Sequence, residues 1–222
     1  MHLSKNHTRA VIFDLDGVVL DSMPSHVAAW VEAFAEMDFE LEPDFVYLHE
    51  GSLDVDRLCR LLGTGEREMT PKIFDRLLQR ARRIYIERYA ERVEIFPGAA
   101  SLIDRIREAR MSMALVTSSV RQVLAAPLLD WLEDRFDILV TGDIVRQFKP
   151  HPEPYLTALR LLGRLPEEVV VLENAPAGIE SARRAGLTCL ALTTTLPPEA
   201  LSEADGILSN HDEMARWLGL DS

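Results

Sequence analysis

Apolar positions follow two different rhythms along this chain and divide it into three zones. Arg9-Ala-Val-Ile-Phe13 is a continuous apolar run with β-branched residues, the pattern of a strand buried on both faces. It ends in Asp14-Leu-Asp-Gly17, where glycine permits a tight turn. From about Ser22 to Val93 the rhythm is helical. Val27, Trp30, Val31 and Phe34 share one face, as do Val55, Leu58, Leu61 and Leu62, and then Ile73, Leu77, Ile84 and Tyr85. Gly63-Thr-Gly65 and Thr70-Pro71 punctuate this zone, with Thr70 placed as an N-cap and Pro71 at the first helical position.

From Phe96 onward the two rhythms alternate. The pattern predicts helix Ala99–Ala109, strand Ser112–Val116, helix Arg121–Leu129, strand Ile138–Val140, helix Glu153–Leu162 and strand Val169–Leu172. Helix Ala177–Ala185, closed by Gly186, strand Leu187–Leu192, strand Gly206–Leu208 and helix Glu213–Leu218 follow. Helix–strand alternation predicts an α/β fold, a Rossmann-like parallel sheet core with helices on both faces. The helical zone is then an inserted small all-helical cap domain over residues 21–93, with 1–20 and 94–222 forming the core. The insert enters near Leu20 and leaves near Phe96-Pro97-Gly98, and two adjacent crossings would make a hinge and the insert a lid.

Composition narrows the function. The 222 residues carry 24 Lys and Arg against 36 Asp and Glu, a formal charge of −12, which argues against nucleic acid or an anionic membrane as partner. An anionic substrate would need a metal or a local cation to offset that field. Cys59 and Cys189 sit in apolar runs with no metal spacing and read as small buried hydrophobes. The first eight residues, MHLSKNHT, lack an apolar stretch, so no signal peptide is expected, and no run reaches the ~18 apolar residues of a membrane span. A monomer in a reducing cytoplasm is expected.

Ligands of open parallel sheets bind at the carboxyl ends of the strands. The first strand ends in Asp14-Leu-Asp16, the second in Thr117-Ser-Ser119 and the fourth in Glu173-Asn174, and a loop beyond the third holds Lys149-Pro150. Each is a weak signal alone, and Asp-x-Asp-Gly by itself is a common turn. Four strand ends suited to phosphate or metal, in this order, make a site. Two carboxylates two residues apart lie on one side of a strand and repel, so they need a cation or a shared proton.

These residues carry a resemblance. Asp14-Leu-Asp-Gly-Val-Val-Leu-Asp-Ser22, Leu115-Val-Thr-Ser-Ser119, Lys149-Pro-His-Pro-Glu-Pro-Tyr155 and Val169-Val-Val-Leu-Glu-Asn-Ala-Pro-Ala-Gly178 resemble the four motifs of the haloacid dehalogenase superfamily of phosphatases. The match spans nearly the whole chain, and the insert falls where that family places its small helical cap. His26 and Trp30 match the β-phosphoglucomutase-like group. The resemblance implies a magnesium-dependent phosphohydrolase acting on a small phosphorylated molecule. Asp14 would attack phosphorus and form an aspartyl phosphate. Asp16 would protonate the leaving oxygen and then deprotonate water. Magnesium would be held by Asp14, the backbone carbonyl of Asp16, Asn174 and Glu173. Thr117, with the backbone N–H of Ser118 and with Ser119, would hold the phosphoryl group, and Lys149 would neutralise charge.

Two departures qualify the resemblance. The fourth motif commonly carries two acids and here is Glu173-Asn174, so the metal shell loses one negative charge. Glu50, in His49-Glu-Gly-Ser52, would restore it if the lid brought it to the metal, with Gly51 beside the substrate. Helical-insert members with a Glu-Gly cap segment and Glu-Asn-Ala-Pro include inorganic pyrophosphatases, so pyrophosphate is a specific candidate substrate. Where the β-phosphoglucomutase group has an Arg for a second phosphate, this chain has Asp54, which argues against a sugar phosphomutase; Arg57 and the Arg82-Arg83 pair are the substitutes at hand. His26 is a candidate for steering the proton on Asp16, while Trp30, Phe34 and Phe39 read as cap core. A phosphomutase and a non-catalytic regulator that kept the fold are the competing readings. A dehalogenase needs neither metal nor a second acid, and Asp16 is present.

Overall fold

The computed structural model describes residues 7–52, 54–63 and 68–220. Thr64 and Gly65 of the predicted punctuation, and residues 1–6 of the N-terminal stretch, lie outside the described residues. Strand β1 (Ala10–Asp14) is followed by four helices, α1 (Met23–Ala35), α2 (Pro43–Leu48), α3 (Val55–Leu62) and α4 (Pro71–Arg88). The chain then alternates through α5 (Pro97–Glu108), β2 (Ser112–Val116), α6 (Ala126–Arg135), β3 (Ile138–Val140), α7 (Glu153–Leu162), β4 (Val169–Glu173), α8 (Pro176–Arg184), β5 (Thr188–Leu192), β6 (Gly206–Leu208) and α9 (His211–Leu218). The strands form one parallel sheet in the order β3-β2-β1-β4-β5-β6.

Both faces of the sheet are covered, which is why its strands are apolar without alternation. In β1, Val11 and Phe13 pack with Leu102, Ile103 and Ile106 of α5 and Met214 of α9, while Ala10 and Ile12 pack with Tyr155 and Ala158 of α7 and Ile179 of α8. Between α1 and α4 the insert has apolar contacts, one group built on Ala29, Ile84 and Tyr85 and reaching Val123, another within the insert on Phe34, Leu58, Phe74 and Leu77. Thr70 caps α4 as expected, its hydroxyl accepting from the Ile73 N–H at 3.3 Å. The two crossings into and out of the insert lie side by side. Leu20 bridges Ile95 antiparallel, the Asp21 N–H donates to the Glu94 carbonyl at 2.9 Å and the Phe96 N–H to the Val19 carbonyl at 3.0 Å.

One predicted helix is misplaced. Residues 121–129 are not a single helix. Arg121–Val123 form a 3-10 turn, Leu124 is extended, and α6 starts only at Ala126. Pro127 explains this, because its ring and missing N–H are incompatible with a helix interior but suit a first turn. Cys59 and Cys189 are buried free thiols, as their apolar surroundings predicted. No helix of the described residues is long and apolar enough to cross a membrane.

Candidate active site

The sheet order brings three strand ends together. β1 lies between β2 and β4, so Asp14, Thr117 and Glu173 are neighbours at the carboxyl edge, and Lys149 enters from the loop after β3. The Lys149 ammonium is buried and donates to Asp14 Oδ1 and, at 2.7 Å, to Glu173 Oε1. Glu173 is fully buried and saturated. Tyr155 donates its hydroxyl to Oε1 at 2.7 Å, and the backbone N–H groups of Asn174 and Ala175 donate to Oε2 at 2.8 and 3.1 Å. This carboxylate therefore serves as the anchor of Lys149.

Gly178 in α8 makes room for it. A Cβ there would fall 1.6 Å from Glu173 Oε1. Gly178→Ala is expected to displace the carboxylate, lowering stability by about 1–3 kcal/mol in urea denaturation and reducing turnover.

Asp16 is held from every side. Its Oδ1 accepts from Ser22 at 2.6 Å and lies 3.1 Å from His26 Nε2, and its Oδ2 accepts from Ser119 at 3.2 Å and Thr117 at 3.4 Å. His26 is itself fixed by a stack on Tyr85, with ring centres 4.1 Å apart. Gly17, at φ +88°, turns the chain after Asp16, and a Cβ there would fall 2.2 Å from Asn174 Nδ2. The insert touches this site directly. The Ser118 hydroxyl donates to the Gly51 carbonyl at 2.7 Å, and the Glu50 carboxylate comes within 4.8 Å of ligand atoms on Asp14 and Glu173.

Three buried oxygens of this cluster find no hydrogen-bond donor among the described residues: Asp14 Oδ2, Glu50 Oε2 and Asn174 Oδ1. Asn174 is oriented by its other atom, Nδ2, which donates to Thr195 at 2.9 Å. Three open hard oxygens among buried acids are what magnesium takes as ligands, so the residues present fit the ion that the resemblance implies.

Burial raises the Asp14 carboxyl to about 8, against the pull of Lys149 and helped by Glu173 and Asp16. Burial, then repulsion from Asp14, likewise lifts Glu50 well above the usual carboxylate range. Burial works in the same direction on Asp16, but the His26 charge and the hydrogen bonds from His26, Ser22 and Ser119 outweigh it and hold that carboxyl at about 2.

A sign follows for stability. Between pH 3.8 and about 8 the folded chain keeps a proton on Asp14 that the unfolded chain has released, so the metal-free protein loses stability as pH rises through that window. Asp16 acts only below 3.8 and does not mix with it. A divalent cation that displaces those protons is therefore expected to raise the melting temperature more at about pH 8 than at about pH 5. Thermal melts with and without magnesium check this, and an equal shift at both values would contradict it.

A family model described as haloacid dehalogenase-like hydrolase matches residues 8–186. The chain belongs to this family. Its relatives place it among the family's phosphatases. It is 30% identical over 217 residues to a validoxylamine A 7'-phosphate phosphatase from Streptomyces hygroscopicus subsp. limoneus, covering 94% of this chain and 96% of that one. It is 33% identical over 189 residues to a phosphorylated carbohydrates phosphatase from Thermotoga maritima, covering 80% and 82%. A solved structure described as a candidate β-phosphoglucomutase from Bacteroides vulgatus matches with a TM-score of 0.80 at 29% identity, covering 96% of this chain and 89% of that one.

Within this haloacid dehalogenase-like phosphatase, Asp14, Asp16, His26, Glu50, Gly51, Thr117, Ser118, Ser119, Lys149, Glu173 and Asn174 converge on one edge of the sheet. The substitutes weighed for a second phosphate do not all converge. Arg57 and Arg83 are exposed, and only Arg82 lines the cavity beside Asp16. Asp54 serves α3, its carboxylate accepting from the Arg57 N–H at 3.0 Å as an N-cap. Trp30 and Phe34 pack in the insert as expected and also line that cavity. Sequence reasoning missed Ser22, Tyr85, Tyr155 and Thr195. Ser22 and Tyr155 stand inside the quoted motifs; Tyr85 and Thr195 carry no local signal.

Proposed function

We propose that this phosphatase is magnesium-dependent and works through an aspartyl phosphate on a small phosphorylated metabolite. The observation that carries the reading is the buried open oxygen of Asp14 beside Lys149. In this reading Asp14 attacks phosphorus and the ester P–O bond breaks. Asp16 gives its proton to the leaving oxygen, then takes one from the water that attacks the phosphoenzyme and frees Asp14. Asp16 is ionised in the free protein, which suits the second step; for the first, the bound phosphate's charge raises its pKa and it takes its proton from solvent or from a substrate bound as the monoanion. Ser22, Ser119 and His26 keep its carboxyl in place. The Thr117 hydroxyl and the Ser118 N–H hold the phosphoryl oxygens. Residues 21–93 act as a cap over a core of residues 1–20 and 94–222, hinged at the paired crossings.

Asp14, Asn174 and the Asp16 carbonyl would hold magnesium, with Glu50 reaching it directly or through water and the buried Glu173 adding charge nearby. Bound there, the ion supplies Lewis-acid stabilisation of charge on the phosphoryl oxygens. Glu50→Gln is accordingly expected to weaken the apparent magnesium affinity by about 10–100-fold in activity titrations. Unchanged magnesium dependence and turnover would remove Glu50 from the site. The same residue favours a second reading, inorganic pyrophosphate as substrate, because an acid cap segment replaces the usual acid at Asn174.

A phosphate-release screen over sugar phosphates, phosphoglycolate, nucleotides and pyrophosphate, with and without chelator, tests the proposal. Chelator-sensitive release from at least one of them is expected. No release from any would favour a phosphomutase, which returns labelled phosphate to product, or a regulator.

A further inference from the structure

The insert holds a cavity of about 130 Å³ that opens at Asp16. Its depth is apolar and drawn from all four cap helices: Trp30 and Phe34 of α1, Phe45 of α2, Leu58 of α3, and Phe74 and Leu78 of α4. Its polar members are mostly committed elsewhere. Ser119 and His26 bond Asp16, Ser118 bonds the Gly51 carbonyl, and His49 Nδ1 lies 2.8 Å from the Phe45 carbonyl. Beside these, the lining includes the open oxygen of Glu50, the partly buried Arg82 guanidinium and the hydroxyls of Ser52 and Tyr85.

We propose that this cavity receives the body of the leaving group, and that the body is hydrocarbon or aromatic. The inference rests on the phosphatase reading. The group that Asp16 protonates is the alcohol oxygen of the ester, so the alcohol must extend from Asp16, and the cavity begins there. Sugar hydroxyls placed against the apolar depth, where Phe34, Leu58, Phe74 and Leu78 offer no partner, would give up water without return. An apolar body loses nothing by leaving water and gains on burial. The volume is of the right order, since an apolar protein cavity of about 150 Å³ takes up benzene. The substrate class is thus a phosphate monoester of an apolar alcohol with roughly a benzyl or branched five-carbon body, in contrast to the carbohydrate esters named for its relatives.

Phosphonates, whose P–C bond is not hydrolysed, separate binding from turnover. With magnesium present, calorimetric Kd values for methyl through pentyl phosphonate are expected to tighten about 4-fold per methylene, and benzyl phosphonate to bind more tightly than methyl. Filling the cavity by Leu78→Phe, and independently by Val46→Phe, is expected to flatten the series. Acetyl phosphate hydrolysis, followed in parallel, tests the phosphatase reading separately. A Kd independent of chain length in the unaltered protein overturns the inference even when acetyl phosphate is hydrolysed. So does a kcat/KM for pyrophosphate or glucose 6-phosphate above that for benzyl phosphate. A chain-length series that holds while acetyl phosphate is not hydrolysed supports the cavity assignment and overturns the phosphatase reading instead.

Discussion

Asp14→Asn is expected to lower turnover by about 10⁴-fold or more without lowering the stability of the metal-free protein. The amide keeps the shape of the carboxylate, and its oxygen still accepts from Lys149. It is a poor nucleophile, so the covalent step stops. The charge removed was an unfavourable one: the carboxyl is pushed up to about 8 by burial and by neighbouring acids. Its loss at about pH 8 should leave the melting temperature unchanged or higher. Phosphate release and metal-free thermal melts on the same preparation check both halves. Turnover within about tenfold of the unaltered enzyme would remove Asp14 as nucleophile.

Lys149→Met is expected to be the most damaging single change to the fold at the site. The ammonium is 1% exposed and bound by two buried carboxylates. Removing one partner from a buried ion pair costs about 3–5 kcal/mol, a large share of the 5–15 kcal/mol that holds a typical domain together. Urea denaturation of the metal-free protein measures it, and a loss below about 1 kcal/mol would contradict the account. Turnover should be lost with the charge that neutralises the nucleophile and the phosphate.

The chain announced much of this arrangement because the physics of a doubly covered sheet is local. Each buried strand is an apolar run, so the polar residue that ends it is conspicuous: Asp14 at the end of β1, Thr117 after β2, Glu173 at the end of β4. What no run displays is the order of the strands. The placement of β1 between β2 and β4 turns separate strand ends into one cluster. The sharing of lone pairs was hidden as well. Glu173 lies with Asp14 and Glu50 in the acidic cluster, and its oxygens also accept from Lys149, Tyr155 and two backbone N–H groups. The open oxygens lie on Asp14, Asn174 and the cap residue Glu50. Helical spacing likewise says that Trp30, Phe34 and Phe74 face inward, but not that the interior is left unfilled beside Asp16. Pro127, overlooked within an apolar stretch, moved the start of α6 by several residues.

The central claim is that Asp14 is phosphorylated in turnover. Acid quenching of the enzyme with magnesium and a hydrolysed phosphoester, in the first turnover, followed by peptide mass analysis, tests it most directly. The account predicts one added phosphoryl group on the peptide carrying Asp14, absent from Asp14→Asn. Stoichiometric phosphate release with no phosphorylated peptide at any quench time, or the group found on another residue such as Ser118, would contradict it.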